Sequence, residues 1–125
     1  MTEPTYVREY NAIAEVLNKY LEGTAKGTSA ATKLAFHEKA TIFGVNGNGV
    51  FGPEIQKLYD VVDTLEPSAN ARTAIARIDV AGTAANARVD SENVAGLRFT
   101  DFFNLVKIDG KWIIVNKVYH TYQGA

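Results

Sequence analysis

The chain has 125 residues, of which 46% are hydrophobic and 22% are charged, with a formal net charge of −1 and no cysteine. We expect one globular domain over residues 1–125, and the balanced charge argues against nucleic acid as a partner. The lack of cysteine excludes disulfides and thiolate catalysis. No apolar run approaches the about 18 residues of a membrane helix and no signal-peptide core opens the chain, so we expect a cytoplasmic protein without membrane contact.

Apolar residues at helical spacing predict three helices. The first begins at Thr2 or Thr5, both of which are N-cap residue types, and is expected to stop at Gly23. The second covers roughly residues 29–36. The third runs from about residue 54 to residue 65, directly after a proline that suits the first turn of a helix.

Short β-rich runs alternate with turn residues in the rest of the chain. Residues 40–45 and 50–51 are predicted to pair around the turn at residues 46–49, whose sequence is Asn-Gly-Asn-Gly. Residues 71–80 and 84–90 are predicted to form two strands rich in alanine. This order of helices and strands predicts an α+β fold, with a curved sheet and helices on one of its faces.

The 26 residues from Leu97 to Tyr122 are predicted to form a long hairpin. Asp109-Gly110 lies between two apolar β-rich runs, and this dipeptide favours a type I′ turn. A two-residue turn without a bulge would place Asp101 opposite Val118. A bulge would shift this register and change which side chains share a face.

Alternation along the hairpin divides its side chains between two largely apolar faces. One face is expected to bring Asp101, Asn116 and His120 together at the edge of an aromatic surface. The opposite face is also apolar, so it is expected to meet a second layer or a second subunit. Its apolar residues include Phe102, Val106, Ile113, Val115 and Tyr119.

The order of elements, the segment FHEKATIFGV at residues 36–45 and the ending DFFNLVKIDGKWIIVNKVYHTY at residues 101–122 resemble the NTF2-like superfamily. Within it, the chain is most similar to a SnoaL-like subgroup known as putative lumazine-binding. The resemblance implies a cone-shaped α+β barrel, in which a bent mixed or antiparallel sheet wraps the first helix and leaves a pocket at the wide end. It also implies a homodimer through the outer sheet face.

Asp101 and His120 are the candidate catalytic residues. An aspartate inside an apolar strand is disfavoured by β-propensity, and a carboxylate in an apolar cavity has a raised pKa suited to proton transfer. The alternative is a purely structural ion pair for Asp101. His120 could act as its acid or base partner, or be a half-exposed histidine near the end of the last strand.

The remaining candidates are walls of a ligand pocket. Two histidines without HxH or HExxH spacing give no support for a metal site, and no motif indicates a cofactor. His37 is interpreted as a capping or surface residue. The candidate ligand-binding residues are Tyr10, Phe43, Phe99, Phe103, Trp112 and Asn116.

Three functions remain open. In the first, the protein binds a small hydrophobic or aromatic ligand, either without chemistry or with proton transfer of an isomerase, dehydratase or cyclase kind. In the second, it is a non-catalytic dimeric association module. In the third, it is an accessory protein with a vestigial cavity. Polar groups on the inner face favour the first function.

Overall fold

The computed structural model describes residues 5–122 and shows an α+β fold. In this part of the chain an open, curved sheet has helices on its inner face, as the sequence predicted. The elements are α1 (Tyr6–Lys26), α2 (Ser29–Lys33), β1 (Phe36–Asn46), β2 (Gly49–Phe51), α3 (Gln56–Val62), β3 (Arg72–Ala81), β4 (Ala84–Val94), β5 (Leu97–Ile108) and β6 (Lys111–Tyr122).

The sheet is mixed, with strand order β2-β1-β6-β5-β4-β3. Strands β3 to β6 form an antiparallel meander, whereas β1 runs parallel to β6. A parallel pair needs a long crossover, which the chain from α3 to β5 provides. No helix within residues 5–122 combines the length and apolar character needed to cross a bilayer.

Helix α1 begins where one of the two predicted caps lies but ends later than predicted. Thr5 is the N-cap and its side chain accepts a hydrogen bond from the Arg8 amide; Thr2 lies outside the described residues. The helix continues through Gly23 to Gly27, which has a φ of 72° and forms the left-handed C-cap. Gly23 is needed for close packing, since a Cβ there would lie 2.3 Å from Thr32 Oγ1.

Several other boundaries differ because backbone pairing in the sheet outweighs local propensity. The predicted second helix loses its last residues to the sheet, since Ala35 accepts a hydrogen bond from the Ile114 amide and Phe36 begins β1. Helix α3 is shorter than predicted. Strand β4 continues to Val94, where a loop was expected, and turns into β5 at Ala95 and Gly96.

The core lies between α1 and the inner sheet face. Ile13 and Leu17 of α1 are fully buried against fully buried inner-face residues such as Phe103 and Ile114. Such burial contributes about 1.5–3 kcal/mol for each large apolar side chain. This packing fixes α1 across one end of the curved sheet and leaves space beyond Tyr20.

The β5–β6 hairpin contains a bulge that the sequence analysis allowed for but did not place. The turn at Asp109 and Gly110 has positive φ at both residues, as predicted. The expected register holds from this turn as far as Leu105 opposite Ile114, and then Asn104 faces Asn116, so that β6 carries one extra residue. Beyond this bulge the alternation of β6 is reversed.

The reversal corrects the predicted faces. Asp101 faces Tyr119 rather than Val118, and Tyr119 lies against the inside of the sheet instead of the outer face. The predicted cluster of Asp101, Asn116 and His120 does not form, because the last two residues belong to the opposite face of the shifted strand.

Candidate functional site

A cavity of about 410 Å³ lies between α1, α3 and the inner face of the sheet. This volume is within the range of small-molecule sites, about 300–1,000 Å³. Most of its wall is apolar, and its two charged groups, Asp101 and Lys117, lie on β5 and β6. Its lining includes Tyr20, Leu21, Thr24, Leu58, Val62, Ser91, Phe99, Asp101, Lys117, Tyr119 and Thr121.

Three polar residues, Asp101, Lys117 and Tyr20, form a buried triad at the cavity wall. They are only 2%, 5% and 4% exposed. Lys117 Nζ lies 3.3 Å from Asp101 Oδ1 and donates a hydrogen bond to the Tyr20 hydroxyl. The triad joins β5, β6 and α1, and the bulge creates it, because without the extra residue Lys117 would face outward.

The triad is not fully satisfied by the described residues. Within residues 5–122, Asp101 Oδ1 lies at ion-pair distance from Lys117 and has no other polar partner. An ammonium has three N–H donors, and the structure shows one donated to Tyr20 and one charge contact with Asp101. A buried ion pair whose charged groups have few further hydrogen bonds is costly in a purely structural role.

Burial controls the protonation of the triad. It raises the pKa of Asp101, and the nearby Lys117 ammonium offsets only part of this effect. Burial lowers the pKa of Lys117, but the attraction of Asp101 and the contact with Tyr20 outweigh it, so the pKa of Lys117 is raised. The pKa of Tyr20 is also raised, mainly by burial. Lys117 is therefore a cation beside a carboxyl group with increased proton affinity.

Tyr119 forms part of the cavity wall beside the triad, with its ring centroid 5.4 Å from Lys117 Nζ. Its hydroxyl donates to Asn46 Oδ1 at 3.0 Å, and its ring packs edge-on against Phe51 with centroids 6.1 Å apart. The ring fills the space above Gly44. The hairpin of β1 and β2, which itself contributes Val45, Asn46 and Phe51 to the cavity wall, is thus also joined to β6 through Tyr119.

Two of the eight residues predicted for the site, Phe99 and Asp101, line the cavity. Phe103 lies beneath it, fully buried, with its ring 5.3 Å from that of Tyr20. Trp112 is buried farther along the hairpin, where its Nε1 donates to Glu9 Oε2 at 2.6 Å. Both rings are packing residues in this structure.

The other predicted residues lie away from the cavity. Tyr10 packs against Tyr6 on α1. Phe43 is 41% exposed on the outer face. Asn116 donates to Thr41 Oγ1, and His120 is exposed and packs edge-on against Tyr122. For Asn116 and His120 the shifted register is the reason.

Lys117 and Tyr20 are the site residues that the sequence analysis missed. A signal for the first existed, since two asparagines on facing strands, Asn104 and Asn116, pair directly only in the shifted register. His37 lies in β1, where its Nδ1 accepts from the Lys39 amide. Across residues 5–122, no three His, Asp or Glu side chains are grouped closely enough to hold a metal ion.

Solved structures share the fold over almost the whole chain. An NTF2-like protein of unknown function from Shewanella baltica OS155 is 53% identical, with a TM-score of 0.95, over 98% of this chain and 100% of that one. An NTF2-like protein of unknown function from Methylobacillus flagellatus KT is 43% identical, with a TM-score of 0.89, over 98% of each chain.

A curated relative and a family profile extend the comparison. Aldolase FrzH from Cladobotryum sp. is 33% identical over 115 residues, which cover 91% of this chain and 92% of the aldolase. A family described as "Putative lumazine-binding" matches residues 8–120. The chain therefore belongs to the putative lumazine-binding family of NTF2-like proteins.

Proposed function

We propose that this protein binds a small, mostly apolar molecule in the cavity and moves a proton on it, with Asp101 as the proton-transfer group. The observation that carries the proposal is the carboxyl group of Asp101, which is 2% exposed, lines the cavity and, within residues 5–122, pairs with Lys117 alone. Perturbed carboxyl groups in apolar pockets are candidates for general acid–base catalysis.

The cavity wall supports an apolar ligand. Leu21, Leu58, Val62 and Phe99 contribute apolar surface, and the charged groups of the wall are Asp101 and Lys117. A pocket of this kind binds through shape and apolar contact and orients its ligand through a small number of polar groups. The ligand would place its polar end at Asp101 and its apolar body along α1 and α3.

The relatives support proton transfer next to a carbonyl group. One is named an aldolase, and an aldol reaction begins when a base removes a proton from the carbon beside a carbonyl. The isomerase and cyclase reactions considered from the sequence share this step. A carboxyl group with a raised pKa is suited to it, because a base is most effective when its pKa lies near the working pH.

Two measurements test the proposal. Molecules released from the purified, denatured protein are identified by mass spectrometry, and exchange of α-protons for deuterium is followed by NMR in a panel of aryl and cyclic ketones. Asp101→Asn should abolish exchange above the uncatalysed rate. Asp60→Asn is the matched control, because Asp60 lies on α3 and its carboxylate accepts from the exposed Gln56 amide. Equal exchange by wild type and Asp101→Asn would overturn the role of Asp101.

We also propose an association role for the outer sheet face, in which two copies pack face to face. Phe43, Val118 and Phe102 lie side by side across β1, β6 and β5 and are 41%, 42% and 38% exposed; we call them the apolar row. The next row is polar, but its side chains hydrogen-bond to one another. Asn86 donates to Asn104, Asn104 donates to Asn116, and Asn116 donates to Thr41. A second copy can therefore cover this face without leaving its polar side chains buried and without hydrogen bonds.

A further inference from the structure

We propose that Lys117 is a second catalytic residue, whose ammonium binds the carbonyl oxygen of the substrate and stabilises the enolate that forms when Asp101 removes the neighbouring proton. The inference rests on the proposed function, because it concerns the same cavity. It names the substrate class, which is enolisable carbonyl compounds. It also assigns the lysine a non-covalent role.

Geometry provides the first argument. Lys117 Nζ and Asp101 Oδ1 are 3.3 Å apart and both side chains line the cavity. In a carbonyl compound the carbon that bears the oxygen is bonded directly to the carbon that bears the α-hydrogen, so one molecule can meet both groups at once. A ligand with only an acceptor would leave Asp101 unused, and one with only a donor would leave Lys117 unused.

The hydrogen-bond donors of the Lys117 ammonium provide the second argument. An ammonium has three N–H groups. Within residues 5–122, Lys117 donates one to the Tyr20 hydroxyl, pairs with Asp101 and shows no third hydrogen-bond acceptor, while its Nζ lies 5.4 Å from the centre of the Tyr119 ring. Tyr20 is held by α1, and its own hydroxyl accepts from Lys117, so it acts as a positioning residue for the ammonium. A fixed cation in a dry pocket stabilises developing negative charge strongly, since no solvent must reorganise.

The reaction step balances without another reagent. The Asp101 carboxylate takes a proton from the α-carbon, so a C–H bond breaks, an O–H bond forms and the electron pair moves to the carbonyl oxygen as an enolate beside Lys117. The enolate then recovers the proton at another carbon, or attacks a second carbonyl carbon whose oxygen receives the proton from Asp101. Asp101 returns to the carboxylate in either case.

The charge state argues against a Schiff base. Attack on a carbonyl carbon needs a neutral amine, and Asp101 and Tyr20 hold Lys117 in the charged form. The lysine is therefore suited to hydrogen bonding and charge stabilisation. Borohydride reduction in the presence of the ketones that undergo exchange, followed by intact-mass measurement, should leave the protein unmodified. A reduced adduct on Lys117 would overturn the non-covalent role.

Binding of para-nitrophenol provides the decisive test, because phenolate resembles an enolate and its absorbance reports ionisation. The neutral amide of Asp101→Asn mimics the carboxyl group of Asp101 after it has taken the proton. This variant should bind phenolate in preference to phenol, with a visible phenolate band. Asp101→Asn/Lys117→Met should bind phenolate about tenfold to one-hundredfold more weakly and leave any bound probe neutral.

The outcomes separate the two proposals. A neutral bound probe in Asp101→Asn, or equal phenolate affinity in the double variant, would overturn the role of Lys117 while leaving the ligand cavity in place. No probe bound by any variant, together with no ketone exchange by wild type, would overturn the proposed function and the inference with it. Far-ultraviolet circular dichroism of each variant verifies that the fold is intact.

Discussion

The ring of Tyr119 occupies the space where a side chain at Gly44 would stand, since a Cβ at Gly44 would lie 2.2 Å from its Cζ atom. The two residues are partners in the parallel pair of β1 and β6. A glycine in the strand thus lets an aromatic ring lie flat across its neighbour, which gives the cavity an aromatic wall.

Gly44→Ala should therefore displace Tyr119. Overpacking of this kind costs about 1–3 kcal/mol of the free energy of unfolding, measured by urea denaturation. Gly49→Ala is the control, because a Cβ there meets only the Asn46 carbonyl oxygen, at 3.8 Å. Equal stability of the two variants, with the Tyr119–Asn46 hydrogen bond kept, would contradict the packing of the Tyr119 ring against Gly44.

The second prediction concerns the stability of the triad. Asp101→Asn leaves Lys117 buried without its counter-charge and should lower the free energy of unfolding by about 3–5 kcal/mol. Asp101→Leu/Lys117→Met removes both charges and should be close to wild type, because well-packed apolar replacements of buried ion pairs are often neutral. Denaturant unfolding of the two variants measures this. A double variant as unstable as Asp101→Asn would show that the loss does not come from an unpaired Lys117 charge.

The register of β6 explains what could be predicted from sequence and what could not. Alternation and the Asp109-Gly110 turn identify the hairpin and place Asp101 on its inner face. They do not locate one extra residue, because Val115 and Asn116 each suit either face of a half-buried strand. Because of that single residue, the side chain beside Asp101 is Lys117 and not the predicted His120.

The cavity walls were harder to predict for a related reason. Phe43, Trp112 and Phe103 are aromatic residues at inner-face or strand positions, and the pattern does not distinguish a core plug from a pocket wall. Curvature decides this, since among residues 5–122 α1 packs against part of the inner sheet face and leaves a cavity at the end beyond Tyr20. The fold prediction draws on the hydrophobic pattern of the whole chain, so a few misplaced residues do not change it. A site prediction draws on a few positions, so one shifted register changes it.

The third prediction concerns the pH dependence of proton exchange. Burial raises the pKa of Asp101, and only the carboxylate form acts as a base, so the rate should rise with pH to a midpoint above that of an ordinary carboxyl group. Exchange of α-protons measured across the acid to neutral range gives this midpoint. A pH-independent rate over that range would show that another group, or solvent, removes the proton.

The fourth prediction concerns acid stability at the other end of α1. Lys107 and Trp112 donate to the two carboxylate oxygens of Glu9, and the Lys107 bond is the main reason that the pKa of Glu9 is lowered. A lowered folded-state pKa stabilises the fold above the ordinary glutamate range. This contribution is lost as the pH falls through the lowered value.

Glu9→Gln should thus destabilise the protein by about 1 kcal/mol at neutral pH, a figure reduced for the partial exposure of the pair. The difference from wild type should shrink as the pH falls through the lowered pKa of Glu9. Urea unfolding at several pH values measures it. A difference that stays constant across the acid range would indicate that packing, and not charge, is what Glu9 contributes.

The last prediction concerns the outer face, where the apolar row lies beside three asparagines that hydrogen-bond to one another. Because those amides are satisfied laterally, covering the face removes apolar surface from water at little polar cost. Val118→Glu would place a charge at the centre of the row and should convert a dimer to a monomer, as measured by light scattering after gel filtration. Leu34→Glu is the matched control, since Leu34 is 71% exposed and lies at the end of α2, away from the sheet face. A wild type that is monomeric at high micromolar concentration would rule out self-association through this face, and its exposed rings would then need a different partner.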